Sequence, residues 1–205
     1  EPAAEAEAAV TDADCLCFGT LAQRCPASAR ALAVLLERFR GKLRLLDLNL
    51  RRDCWTPANV RSSIERADVL KLNDDEAAVI APLYGLEALP LCGFPVALIG
   101  RTRLSHVVVT LGPRGAFAVS GSGEAVYEPA YAVDVVDTVG SGDAFTAAFA
   151  HGLLAGWPLA ASVGFGNALG ACVARLRGAT GPVAHAEVER LVRENRRRDA
   201  DPRFA

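Results

Sequence analysis

Short apolar runs alternate with longer amphipathic stretches along this chain, the pattern of a parallel sheet covered by helices. Cys15 to Phe18 reads as a short buried strand. Pro26 opens a helix that reaches about Arg40 and places Leu32, Leu35, Leu36 and Phe39 on one face. Leu43 to Leu48 is the next strand, Pro57 to about Ala67 the next helix, and Val69 to Leu72 a brief third strand. Asp74 and Asp75 sit where the positive end of a helix attracts acids, and Glu76 to Leu83 continues that helix. Three prolines, Pro82, Pro90 and Pro95, obscure the pattern from Leu83 to Arg103. His106 to Leu111 is a β-branched run, buried on both faces.

The pattern then changes. Ala116 to Val119 and Ala125 to Tyr127 predict a hairpin turned by Ser120-Gly121-Ser122-Gly123. Val133 to Val136 leads into a glycine-rich turn at Gly140. Three helices follow, from about Gly142 to Ala155, Pro158 to Arg175 and His185 to Arg198. No internal repeat and no long linker interrupts the series. The expectation is one α/β domain over 1–205, with 1–14 as an irregular, Ala/Glu-rich start.

Composition narrows the class. The chain has 205 residues, 51% hydrophobic and 22% charged, enough for one full core. A formal charge of -2 gives no basic field for nucleic acid or an acidic membrane surface. The one basic cluster, Arg196-Arg197-Arg198, reads as a solvated helix end. No stretch is long and apolar enough to span a membrane, and Glu1 to Val10 does not have the form of a signal peptide. Six cysteines without CxxC or finger spacing read as reduced, mostly buried thiols of a cytoplasmic protein. The three histidines are scattered and form no catalytic or metal cluster. A dinucleotide-dependent oxidoreductase would need a GxGxxG turn after an early strand, and the chain has none.

The chemistry concentrates at Asp137-Thr138-Val139-Gly140-Ser141-Gly142-Asp143-Ala144-Phe145. A Gly-Ser-Gly turn that opens a helix points unpaired backbone N–H groups outward at the positive end of the helix dipole, which makes an anion site. Asp143, in the first turn of a very apolar helix, can cap the helix. It is also placed to take a proton from an attacking hydroxyl while Gly140, Ser141 and Gly142 stabilise charge on a transferred phosphoryl group.

This nine-residue string resembles the C-terminal signature of the ribokinase-like (PfkB) carbohydrate kinases, in which the aspartate is the catalytic base and the preceding turn the anion hole. The likeness extends over most of the chain, in order. Phe18-Gly19-Thr20-Leu21 resembles the family's strand-end glycine segment. Asp47-Leu48-Asn49-Leu50-Arg51 with Trp55 is similar to the D-x-N-x-R…W stretch of fructokinase-like members. Lys71-Leu72-Asn73-Asp74-Asp75-Glu76 resembles the N-x-x-E element, and Thr110-Leu111-Gly112-Pro113-Arg114-Gly115 the nucleotide loop T-x-G-x-x-G. Asn167-Ala168 and Gly178-Ala179-Thr180-Gly181-Pro182 are similar to adenine-side segments.

The resemblance implies a three-layer α/β/α sandwich and transfer of the ATP γ-phosphoryl group to a primary hydroxyl of a sugar. Fructose is the first expectation, with ketodeoxygluconate and nucleosides as rivals and a homodimer as one assembly. It implies that Asn73 and Glu76 organise the phosphates and Mg²⁺, with Glu76 acting through the ion's water shell, and that Thr110, Gly112, Gly115 and Asn167 line the nucleotide. Asn49 and Arg51 would hold the sugar. Asp137, with the main chain of Val139, would contribute to a K⁺ site as in some relatives. Each element also has a plain structural reading. Asn73 and Glu76, three apart, suit a capped and exposed helix start. Gly112 and Gly115 suit an ordinary turn, and Arg51 a surface arginine. Members of the family usually carry roughly a hundred more residues before the Cys15 strand, more than half a typical domain. By that likeness the expectation is a chain that lacks the lid and most sugar-choosing residues and would expose an apolar sheet edge, with a non-catalytic, nucleotide-binding relative as the alternative function.

Overall fold

A computed structural model describes residues 2–204. Among these described residues six strands lie in the order β1-β2-β3-β4-β5-β6, and eight α-helices accompany them. The chain divides into two compact units, one ending at Val107 and the other beginning at Val108.

The first unit contains β1 (Cys15–Phe18), β2 (Leu43–Asp47) and β3 (Val69–Asn73), paired in parallel, so that Leu16 lies beside Arg44 and Asp47 beside Lys71. Parallel neighbours need a crossover, and helices supply both: α2 (Pro26–Arg38) between β1 and β2, α3 (Pro57–Arg66) between β2 and β3. Leu36 of α2 and, just past its end, Phe39 are buried, as the one-face pattern predicts. Proline at the first turn starts both helices. α4 (Asp74–Ile80) follows β3 directly, and Ala81–Tyr84 tighten into a 3₁₀ turn. The proline-rich stretch that the pattern leaves open holds a single short helix, α5 (Phe94–Ile99). The start of the chain is not irregular as expected. Ala4–Asp12 form α1, because a run of Ala and Glu has high helix propensity and Val10 is buried to anchor it.

β4 (His106–Thr110) is the strand in which the chain passes from the first unit to the second. In the second unit, β5 (Ala116–Ser120) and β6 (Ala125–Glu128) form the expected antiparallel hairpin. α6 (Ser141–Leu154) and α7 (Leu159–Ala174) pack through glycines. A Cβ on Gly152 would stand 2.5 Å from Ser162 Oγ, one on Gly166 2.8 Å from the Phe145 ring, and one on Gly170 3.0 Å from Ser141 O.

α8 (His185–Glu194) stops earlier than its charge pattern predicts, at Asn195 in a left-handed conformation. The arginine cluster beyond it is therefore not a solvated helix end. Arg197 forms a β-bridge with Tyr131, its guanidinium stacks 3.7 Å over the Tyr131 ring, and it donates to Pro129 O at 2.8 Å. Planar guanidinium accounts for this: it can stack on an aromatic face and satisfy a carbonyl at once.

The six cysteines are reduced, as expected, but Cys172 alone among them is buried, while Cys17 and Cys25 are exposed. Among the described residues no helix is long and apolar enough to cross a membrane.

Candidate active site

The glycine-rich turn precedes α6, whose N-cap is Gly140 at φ +83° with no side-chain cap. A left-handed residue here cannot carry a side chain cheaply, and a Cβ would also lie 2.7 Å from the Cβ of Ala179. Ser141 N–H donates to Thr138 O at 3.2 Å, and Ala144 N–H closes the first helical bond to Gly140 O. The amides of Gly142 and Asp143 fall between these two and have no acceptor within the helix, as first-turn geometry dictates. Asp143, Gly142 and Val139 are exposed and Ser141 half-buried, its Oγ atom buried without a hydrogen-bond partner.

Asp137 fixes the shape of the turn. Its Oδ1 accepts Val139 N–H and its Oδ2 accepts Gly178 N–H, both at 3.0 Å. These two amides, Val139 first, hold its carboxyl below the ordinary range. The carboxylate thus ties the loop before α6 to the loop after α7, so that Gly140 rests against Ala179. Three valines around the turn stand exposed, Val135 at 53%, Val136 at 60% and Val139 at 59%. An apolar rim beside unpaired amides can receive a ligand with both an apolar and an anionic part, such as a nucleotide.

The residues expected along the nucleotide are all in this second unit. Thr110 ends β4, and Gly112–Arg114 form a 3₁₀ turn closed by Gly115, whose amide bonds Gly112 O. Gly115 has φ +104°, and a Cβ there would lie 2.1 Å from Glu128 O, so the turn can seat against β6 only with glycine. Asn167, in mid-α7, turns its amide to the main chain, donating to Glu128 O at 2.8 Å.

In the first unit, Asn73 and Glu76 form a capping box. Asn73 Oδ1 accepts Glu76 N–H at 2.8 Å and Glu76 Oε2 accepts Asn73 N–H at 2.9 Å. Glu76 is buried, unlike a solvent-exposed cap, and its Oε1 accepts Leu50 N–H at 2.7 Å. It therefore fastens the segment after β2, where Asn49 has φ +45° and Arg51 is exposed without an ion pair among the described residues. The structure thus brings Asn73, Glu76 and the Asn49–Leu50 segment together. Each Glu76 oxygen keeps a lone pair, which fits an outer-sphere hold on a hydrated Mg²⁺. Among the described residues no three His, Cys, Asp or Glu side chains gather into a cation cluster.

The pairing of Asp47 with Lys71 is not among the expectations from the sequence. Lys71 Nζ lies 3.0 and 3.2 Å from the two carboxylate oxygens, and both residues are buried. The available signal was two opposite charges, one in each of two successive apolar strands, which the parallel register places side by side.

Fold and site together define an α/β/α protein of ribokinase-like class whose candidate site is an anion-receptive helix start with a carboxylate in its first turn. The chain belongs to the pfkB family of carbohydrate kinases, whose description matches residues 1–186. It is 35% identical over 158 residues to a 2-dehydro-3-deoxygalactonokinase from Haloferax volcanii, covering 75% of this chain and 48% of that protein. It is 35% identical over 108 residues to a ribokinase from Bacillus subtilis, covering 52% of this chain and 33% of that one. A fructokinase from Xylella fastidiosa, solved with bound ATP, shares the fold at a TM-score of 0.78 and 21% identity over 92% of this chain and 64% of its own. The chain spans about half the length, or less, of the curated relatives it matches.

Proposed function

We propose that this chain is the ATP-binding and phosphoryl-transferring part of a sugar kinase. The observation that carries the reading is the α6 start, a helix end without a side-chain cap and with the exposed Asp143 in its first turn. The Asp143 carboxylate takes the proton of a primary sugar hydroxyl as that oxygen attacks the γ-phosphorus. The bond from that phosphorus to the bridging oxygen of ADP breaks, and ADP leaves with the electron pair. The amides at Gly142 and Asp143 face the charge on the transferred group, where preorganised donors stabilise the transition state most. The valine rim, the Gly112–Gly115 turn and the Asn167 region are assigned to the nucleotide. Mg²⁺ neutralises phosphate charge when bound, and family likeness assigns Glu76 to its water shell. The same likeness gives Asp137 and the main chain of Val139 to K⁺.

Asn49, Arg51 and Trp55 keep fructose as the first acceptor. The Haloferax relative favours a second reading, a 2-dehydro-3-deoxy sugar acid. The exposed Arg51 guanidinium suits such an acid, since it can grip a carboxylate through two parallel hydrogen bonds. ADP release measured with Mg²⁺ and ATP, with fructose or 2-dehydro-3-deoxygalactonate, and in an Asp143→Asn variant, tests both. Acceptor-dependent release that the variant abolishes supports the kinase reading, and the better acceptor decides between sugars. ATP binding without acceptor-dependent turnover makes the chain a non-catalytic nucleotide binder, and no ATP binding refutes the placement of the nucleotide.

A further inference from the structure

The family match ends at residue 186, yet the chain beyond it is tied into the second unit at every step. After α8, Ala132 N–H donates to Arg196 O and Arg198 N–H to Ala130 O, both at 2.8 Å, which lays the tail alongside 130–132. The tail then reaches the hairpin, where Asp201 is 5% exposed. Asp201 N–H donates to the Tyr127 hydroxyl at 2.8 Å, and that hydroxyl donates to Arg114 O at 2.6 Å. The Asp201 carboxylate meets the Arg114 guanidinium at 3.3 Å and is gripped by Arg203 at 2.7 to 3.2 Å. Phe204 closes the contact, its ring stacked 5.2 Å from Tyr127 and tilted 4.7 Å from Phe117.

Arg114 is the last residue of the 3₁₀ turn Gly112–Arg114, and Gly115 already seats that turn on β6. The tail adds two holds on it, one on the Arg114 carbonyl through Tyr127 and one on its guanidinium. A buried carboxylate with several charge-assisted bonds is a stiff anchor, and its carboxyl is drawn down to about 2, chiefly by the Arg203 side chain, so it is ionised at neutral pH. We infer that the segment Arg197–Phe204 positions the Gly112–Gly115 turn for its nucleotide, with Asp201 as the positioning residue. The nucleotide part rests on the kinase reading above.

Two variants of the full chain test this. Asp201→Ala removes the anchor, and Tyr127→Phe removes the bridging hydroxyl while keeping the aromatic stack. Amide exchange at 111–116 and Mg·ATP affinity by calorimetry are the readouts. Exchange at Arg114 and Gly115 rises at least about tenfold in both variants while that of α6 and α7 stays unchanged, and ATP binds several-fold more weakly. Unchanged exchange at the turn overturns the inference, and so does exchange that rises throughout the second unit, which marks a general fastener. Unchanged ATP affinity in the variants overturns it alone. Failure of the unaltered chain to bind ATP overturns the kinase reading together with it.

Discussion

Two helix starts in this molecule answer one problem in opposite ways. At α4 the side chains next to the helix start are engaged by the protein itself, with Asn73 capping Glu76 N–H, Glu76 accepting Asn73 N–H in return, and Glu76 also holding Leu50 N–H. At α6 the N-cap is a glycine with no side chain to offer, and the carboxylate nearby points to solvent. A closed helix start spends its polarity on stability. An open one leaves it available to a ligand. Both carry an acid at the third helical position, so residue type alone does not separate them. Burial and hydrogen-bond partners do.

The largest effect that sharpens this contrast is expected at Asp143. Asp143→Asn should lower turnover by about 10²–10⁴-fold, the usual worth of a general base, with little change in melting temperature. Steady-state kinetics beside calorimetry checks it, and a large loss of stability would break the contrast. Gly140→Ala comes next. It forces a Cβ against Ala179 at a left-handed position and should destabilise the second unit by about 2–3 kcal/mol, measured by denaturant unfolding. Glu76→Ala leaves two amides unpaired in the first unit and should cost about 1–3 kcal/mol there. The informative companion is Glu76→Gln, which keeps one acceptor. If it abolishes turnover at unchanged stability, the closed start is catalytic too.

The smallest effect concerns a third helix start. Cys25 is the exposed N-cap of α2, and the amides of Ala27 and Ser28 draw its thiol below the ordinary range, while burial pushes Cys15 and Cys172 up. Alkylation at neutral pH, followed by mass spectrometry, should label Cys25 several-fold faster than Cys15 or Cys172. Equal rates would show that the open end of α2 exerts no useful field.

Much of this was legible in the chain. The hairpin announced itself through alternation around Ser-Gly-Ser-Gly, and the α6 turn through two glycines and an acid at fixed spacing. What was not legible depends on partners distant in sequence. Nothing local shows that Arg197 turns inward, since its reason is the Tyr131 ring 66 positions earlier. The same holds for Lys71, whose charge is tolerated inside because Asp47 lies beside it on the neighbouring strand. The N-terminal helix was missed for another reason. Its composition looked like a tail, and the burial of Val10 and the Glu7–Arg38 ion pair distinguish a docked helix from a frayed one. Glu76 shows the middle case. The spacing gave the capping box as one of two readings, but its bond to Leu50, 26 residues away, had no local sign.

The glycines between α6 and α7 have a thermodynamic consequence. With Ser162, Phe145 and the Ser141 carbonyl each set where a side chain would collide, α6 has little freedom to roll or slide against its neighbour. The dipole at its N-terminus is then a fixed electrode rather than a compliant one. An arriving anion meets donors already aligned, so little reorganisation is left for the moment of binding. Binding at such a fixed terminus should show a small conformational-entropy loss in the backbone of α6, with amide order parameters nearly equal before and after the ligand enters.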